Sequence, residues 1–234
     1  MNLEEFLSES RAAEPGGERF QRESDNVLRV DVEGGVWIKP GAAVGYRGNI
    51  RFERQRTIAA DSVSNAALRE LMPLVRATGT GRLYCANHGW TVHVVRLTGE
   101  TVFVAWQELL AFEASLRFHE TFVADGLTAL GELRILRLSG TGSFALAVHG
   151  QPLTLSVTPG NPVITDPRAT LAWTGDVQPS LKTDVEWRSL LGHGGQEPFQ
   201  MLFEGTGHVV VQPHEHASSV RANAGKLMKE LLAV

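Results

Sequence analysis

The strongest constraint on this 234-residue chain is that it repeats itself. The stretch Gly79-Thr80-Gly81-Arg82-Leu83-Tyr84-Cys85-Ala86-Asn87-His88-Gly89 returns 61 residues later, ungapped, as Gly140-Thr141-Gly142-Ser143-Phe144-Ala145-Leu146-Ala147-Val148-His149-Gly150. A third copy opens at Gly205-Thr206-Gly207 and runs to His214. Each copy reads Gly-Thr-Gly, six residues, His. Between 79–112 and 140–173, ten of 34 positions are identical, so the repeat extends well beyond its opening motif. The N-terminal region matches the second half of this unit at an offset of 66, with Val36-Trp37-Ile38 on Val102-Phe103-Val104 and Asn49-Ile50-Arg51-Phe52 on Ser115-Leu116-Arg117-Phe118. Self-similarity at a fixed period is the mark of a chain assembled from copies of one supersecondary unit.

The phase of the repeat sets the expected architecture. A second half-unit (36–53) comes first, two full units follow (79–119 and 140–180), and a first half-unit (205–214) closes the series. Pairing of 205–214 with 36–53 completes three equivalent units about a pseudo-threefold axis, in a single mostly β domain spanning 27–216. Such closure leaves few free sheet edges. In the three copies Leu83/Cys85, Phe144/Leu146/Val148 and Val209/Val211 alternate with other residues, which turns one strand face to a core. The repeated glycines Gly79, Gly81, Gly140, Gly142, Gly205 and Gly207 mark places that need positive φ or close strand approach. Two helices flank this pattern. Leu68, Leu71, Met72 and Val75 form a helical stripe in the first linker, and Val220, Ala224, Leu227 and Leu231 one face of a C-terminal amphipathic helix over 217–234. Residues 1–26 read as a polar N-terminal extension with a short helix around 2–11.

Composition narrows the class. With 43% hydrophobic and 21% charged residues the chain can bury a large core. The net charge of −4 and the scattered arginines do not make a phosphate-binding groove, so no nucleic-acid partner is expected. Cys85 is the only cysteine, which excludes an intrachain disulfide, and its apolar-alternating position reads as a buried, inert thiol. No stretch of 18 apolar residues appears, so no transmembrane segment is expected. The acidic start, Met1-Asn2-Leu3-Glu4-Glu5-Phe6, does not read as a secretory signal, and the expected location is cytoplasmic.

The segment Gly35-Val36-Trp37-Ile38-Lys39-Pro40-Gly41-Ala42-Ala43-Val44-Gly45-Tyr46-Arg47-Gly48-Asn49-Ile50-Arg51-Phe52 resembles the N-terminal signature of the altered inheritance of mitochondria protein 24 family. The recurring Gly-x-Gly strands and Phe203-Glu204-Gly205-Thr206-Gly207-His208-Val209-Val210-Val211-Gln212 are similar to that family as well. The resemblance spans about residues 27–215. It implies three units like the tryptophan RNA-binding attenuation protein (TRAP-like, a double-stranded β-helix type of sandwich) within one chain. The family occurs in bacteria and in mitochondria, and this chain reads as a bacterial member. The resemblance supplies no catalytic residues, and a shared fold does not transfer tryptophan or RNA binding.

Among candidate chemistries, the recurrence of His88, His149 and His214 at one register stands out. In a pseudo-threefold body three such imidazoles lie on a circle, and a small circle would hold Zn²⁺ or another divalent ion. The competing reading places them in hairpin turns facing solvent. His214-Glu215-His216 resembles the His-x-His of cupins but lacks their companion Glu and second motif. The Gly-Thr-Gly copies are not phosphate loops, because a strand rather than a Lys and a helix follows each. Trp37 and Trp173 read as core; for Trp90 and Trp106 the leading reading is also core, with a partner surface as the alternative. The leading functional expectation is a non-enzymatic binding or scaffold protein that self-associates or docks other proteins, with no cofactor. The alternative is a small-ligand or divalent-metal-binding protein, in its furthest form a metal-dependent enzyme, using the three histidines.

Overall fold

The computed structural model describes residues 1–9, 11–12, 17–55, 74–122, 134–183 and 199–213. Within them the chain is mostly antiparallel β-structure in a β-sandwich-like arrangement, with one short helix. That helix, α1 (Leu3–Glu9), begins with a capping box: Glu5 N–H donates to Asn2 Oδ1 at 2.9 Å and Asn2 N–H to Glu5 Oε2 at 2.8 Å. Fourteen strands follow: β1 (Phe20–Ser24), β2 (Val27–Ile38), β3 (Ala43–Gln55), β4 (Leu74–Cys85), β5 (Thr91–Ala105), β6 (Leu109–Glu113), β7 (Arg117–Phe122), β8 (Arg134–Val148), β9 (Leu153–Val157), β10 (Val163–Thr165), β11 (Thr170–Thr174), β12 (Val177–Thr183), β13 (Phe199–Gly205) and β14 (Gly207–Val211). No helix among the described residues is long and apolar enough to cross a membrane.

The large sheet runs β3-β4-β2-β6-β8-β5-β11-β14-β9, with β1 on β2 and β7 on β8; a smaller sheet runs β10-β13-β12. The Gly-Thr-Gly strands sit at the centre of this wiring. β4 pairs with β2 and β3; β8 pairs with β5, β6 and β7; β13 and β14 pair with β9, β10, β11 and β12. Each therefore takes its partners from the segment just before it in the chain. The expected pairing of 205–214 with 36–53 is corrected by these registers: Gly207 to Val211 lie against β9 and β11, and β2 lies against β1, β4 and β6.

Backbone geometry accounts for the local choice. Gly34 in β2 faces Gly79 in β4, and both have positive φ, 85° and 114°. A Cβ on Gly79 would meet the backbone carbonyl oxygen of Asn49 on the other side of the strand. Gly205 (φ 113°) is crowded in the same way, its Cβ position lying 2.6 Å from Asp176 O. Close approach of a neighbouring backbone, at a conformation that L side chains avoid, leaves room only for glycine.

Three buried clusters fill the interior. Leu28, Val30, Val36, Leu83, Cys85 and Leu110 belong to the first; Trp37, Leu109, Phe112, Leu136 and Phe144 to the second; Trp173, Met201, Phe203 and Val209 to the third. Trp37 and Trp173 are buried, as their strand positions predict. Val75, assigned by periodicity to a linker helix, is part of β4, where it pairs with Ile38. Pairing with β2 and β3 overrides the helical stripe there. Leu68, Leu71 and Met72 lie outside the described residues, and so does the segment expected as a C-terminal helix.

Gly79→Ala is expected to cost about 3 kcal/mol, since strain at positive φ and a backbone clash act together. Gly34→Ala, which also has positive φ but meets open space, should cost about 1 kcal/mol. Denaturant unfolding of both variants measures the difference.

Candidate functional site

The three repeat strands end at one polar junction. After β4 comes a turn in which His88 has φ 49°, the left-handed conformation of a tight turn. Trp90 N–H donates to Asn87 O at 2.9 Å and closes that turn. Asn26 Nδ2 donates to Gly89 O at 2.5 Å and Val92 N–H to Asp25 O at 2.7 Å, which ties it to the β1–β2 hairpin. Trp90 is half-buried against the first core cluster. Its ring contacts two imidazoles, with centroids 6.0 Å from His88 and 5.9 Å from His149, the latter edge-on. Both histidines are exposed. The result is an aromatic platform whose outer faces reach solvent.

Beneath the platform the strand ends are fastened at equivalent places. Ala86 N–H donates to Ala42 O at 2.9 Å, Ala147 N–H to Glu108 O at 2.7 Å, and Gln212 N–H to Ala169 O at 2.9 Å. A buried polar chain joins the parts further: Gln212 Nε2 donates to Glu108 Oε1 at 2.7 Å, and His149 N–H to Gln212 Oε1 at 3.2 Å. Lys39 Nζ donates to the Gln107 carbonyl nearby. Burial lowers the Lys39 pKa from its ordinary value, and the charge of Glu108 partly opposes that.

The sequence expectations meet this geometry unevenly. His88 and His149 come to one end of the molecule, with Trp90 in contact with both, while His214 lies outside the described residues. Among the described residues no three His, Cys, Asp or Glu side chains group as a metal set. Trp106 is buried in the second core together with Leu109, in line with the leading core reading, and its partner-surface alternative is corrected. Trp187 lies outside the described residues. Lys39, Glu108 and Gln212 gave no sequence signal, because Glu108 and Gln212 are 104 residues apart. An open cleft elsewhere is lined by Asp31, Glu33, Arg47 and Arg82, and an ion pair at 3.2 Å joins two of these four, Arg82 and Asp31.

Two side chains near the first core have perturbed protonation. Burial pushes the Cys85 thiol up to about 12. The folded protein should therefore leave Cys85 unmodified by a thiol reagent at a mildly alkaline pH, with reaction appearing only once denaturant unfolds the chain. Burial, aided by the charge of Arg22, lowers the pKa of His93 on β5. The unfolded chain then takes up the proton first, so the His93 contribution to stability is complete above about pH 6.5 and declines as pH falls below it. His93→Gln should flatten the acid side of a plot of unfolding midpoint against pH.

Comparison with known proteins sets this architecture in context. The pattern of the family described as Mitochondrial biogenesis AIM24 matches residues 19–214. A crystal structure of protein SPYM3_0169 from Streptococcus pyogenes superposes with a TM-score of 0.63 at 15% identity, over 90% of this chain and 97% of that one, a likeness of fold. No curated protein matches the chain. With the family pattern running from β1 through the last repeat strand, the chain belongs to the Mitochondrial biogenesis AIM24 family.

Proposed function

We propose that this chain is a non-enzymatic scaffold: three TRAP-like β units in one polypeptide, related by a pseudo-threefold repeat, that present the Trp90 platform to protein partners. The units are 27–85, 91–148 and 153–211; the first two each have a long strand, a bulged second strand and a Gly-Thr-Gly strand, and in the third the long strand is divided into β9 and β10 and the Gly-Thr-Gly strand into β13 and β14. The observation that carries the reading is the recurrence of joining geometry. The strand-end hydrogen bonds of Ala86, Ala147 and Gln212 recur at the repeat spacing. So do the bulges between Ala43 and Gly45, between Leu109 and Ala111, and between Thr170 and Ala172. The polar residues near the platform are used to fasten units together, and a half-buried indole in contact with exposed imidazoles suits a protein contact.

Loss of a central interface indole commonly costs about 2 kcal/mol, or about 30-fold in affinity. Trp90→Ala should reduce recovery of bound proteins by that order while circular dichroism and unfolding midpoint stay close to wild type. Turnover of a small molecule, abolished by one surface substitution, would overturn the scaffold reading.

A second reading, a divalent-metal site, has one observation in its favour. Pro213 packs against Gly150, so the chain just before His214 lies beside His149. Both His88 and His149 have ring contacts with Trp90, which is why this reading ranks second. It expects about one ion per chain in protein purified without a metal-affinity tag. That ion should be absent from a variant with His88, His149 and His214 all replaced by Ala.

A further inference from the structure

Two joints between successive β units are built to one template. In the first, β2 pairs with β6: Val36 opposite Glu113, Trp37 opposite Phe112, Ile38 opposite Ala111. In the second, β5 pairs with β11: Val102 opposite Thr174, Phe103 opposite Trp173, Val104 opposite Ala172. The middle pair is a stacked aromatic pair in each, with ring centroids 6.3 Å and 5.3 Å apart. Both joints are three residue pairs long.

A third joint of this kind has its two halves present and unmatched. The offsets of 66 and 61 make β10 the counterpart of 36–38 and 102–104, and make the start of β3 the counterpart of β6 and β11. The inner pairings agree, since Val36, Val102 and Val163 stand opposite Ala77, Leu138 and Phe203. Yet among the described residues β10 pairs with β13 alone and β3 with β4 alone. Burial records the difference. Leu110, Phe112, Leu171 and Trp173 are buried, whereas their counterparts Val44 and Tyr46 are 61% and 55% exposed. Trp37 is buried, and its counterpart Ile164 is 45% exposed. Open backbone edges flanked by apolar side chains are templates for strand addition.

We propose that β3 of one copy pairs antiparallel with β10 of a second copy, placing Arg47 opposite Val163, Tyr46 opposite Ile164 and Gly45 opposite Thr165. Pro162 and Pro167, which have no N–H, bracket β10 and confine the pairing to three residues, the length of the two internal joints. The two surfaces differ, so the contact is head to tail. This deepens the scaffold reading, on which it rests, by naming a second copy of the chain as a partner.

The test is the solution mass of the full chain by light scattering over a wide range of concentration. Wild type should exceed one chain, and Tyr46→Lys and Ile164→Lys should each fall to one chain with unchanged circular dichroism. Mixing the two variants should restore a two-chain species, because one retains an intact β10 and the other an intact β3. A wild-type mass of one chain, variants that keep the wild-type mass, or a mixture that stays at one chain would each overturn the proposal. Should a lysine variant fail to fold, Tyr46→Cys and Ile164→Cys chains mixed under mild oxidation supply the decision. A disulfide between the two chains supports the joint. No such disulfide, or a bond formed within one chain carrying both substitutions, overturns it. Cys85 is buried and does not interfere. Trp90→Ala should leave the mass unaltered, so failure of partner capture and failure of this joint are separate results.

Discussion

Close backbone approach across the Gly-Thr-Gly strands is the constraint on which the rest of this structure depends. At Gly79 and Gly205 a neighbouring carbonyl oxygen occupies the space a Cβ would need. Neighbouring strands can then lie on both sides of each repeat strand, and side chains such as Val36 of β2, Val104 of β5 and Val157 of β9 reach the buried clusters. The positive φ at Gly34 and Gly79, opposite each other, adds a local departure from regular pairing that both strands share. The β2–β4 register nevertheless runs unbroken through this pair.

The same wiring explains where the polar groups went. Lys39, Glu108 and Gln212 come from three separate parts of the chain and meet under the Trp90 platform. Polar groups buried at such a junction are costly unless satisfied, and the Gln212–Glu108 hydrogen bond and the Gln212–His149 backbone contact meet much of that need. Residues committed in this way hold strand ends in place. What remains outside is an indole beside two imidazoles at one end, and two strand edges whose counterparts elsewhere in the chain are covered.

Much of this was readable from residue order. The apolar patterns over 27–38 and 140–148 mark strands, though β8 is buried on both faces over 142–148 where the alternation predicts one core-facing side, and His-Gly at 88–89 marks a turn that His88 enters with positive φ. Trp37 and Trp173 lie at apolar strand positions and are core. Trp106 sits in a short turn after a strand, which from sequence alone suits either face, and it is core, in the cluster that side chains of β8 share. Val75 satisfied a helical period with Leu68, Leu71 and Met72, but strand pairing on both sides of β4 outweighs an amphipathic stripe that has no partner in sequence. The platform was half visible: the histidine spacing signalled a shared register, while its meeting with Trp90 depended on turns from two units.

Local chemistry therefore specified the strands, the turns, the glycine positions and the count of repeated segments, because each depends on a few neighbouring residues. Long-range assembly settled which strand lies beside which, why the last copy pairs with β9 to β12 and not with 36–53, and why Leu110 is buried while Val44 is exposed. The physical reason is that burial belongs to a position in the assembled sheets rather than to a residue type. Two apolar residues at equivalent points of a repeat differ once one of them has a neighbouring unit and the other does not.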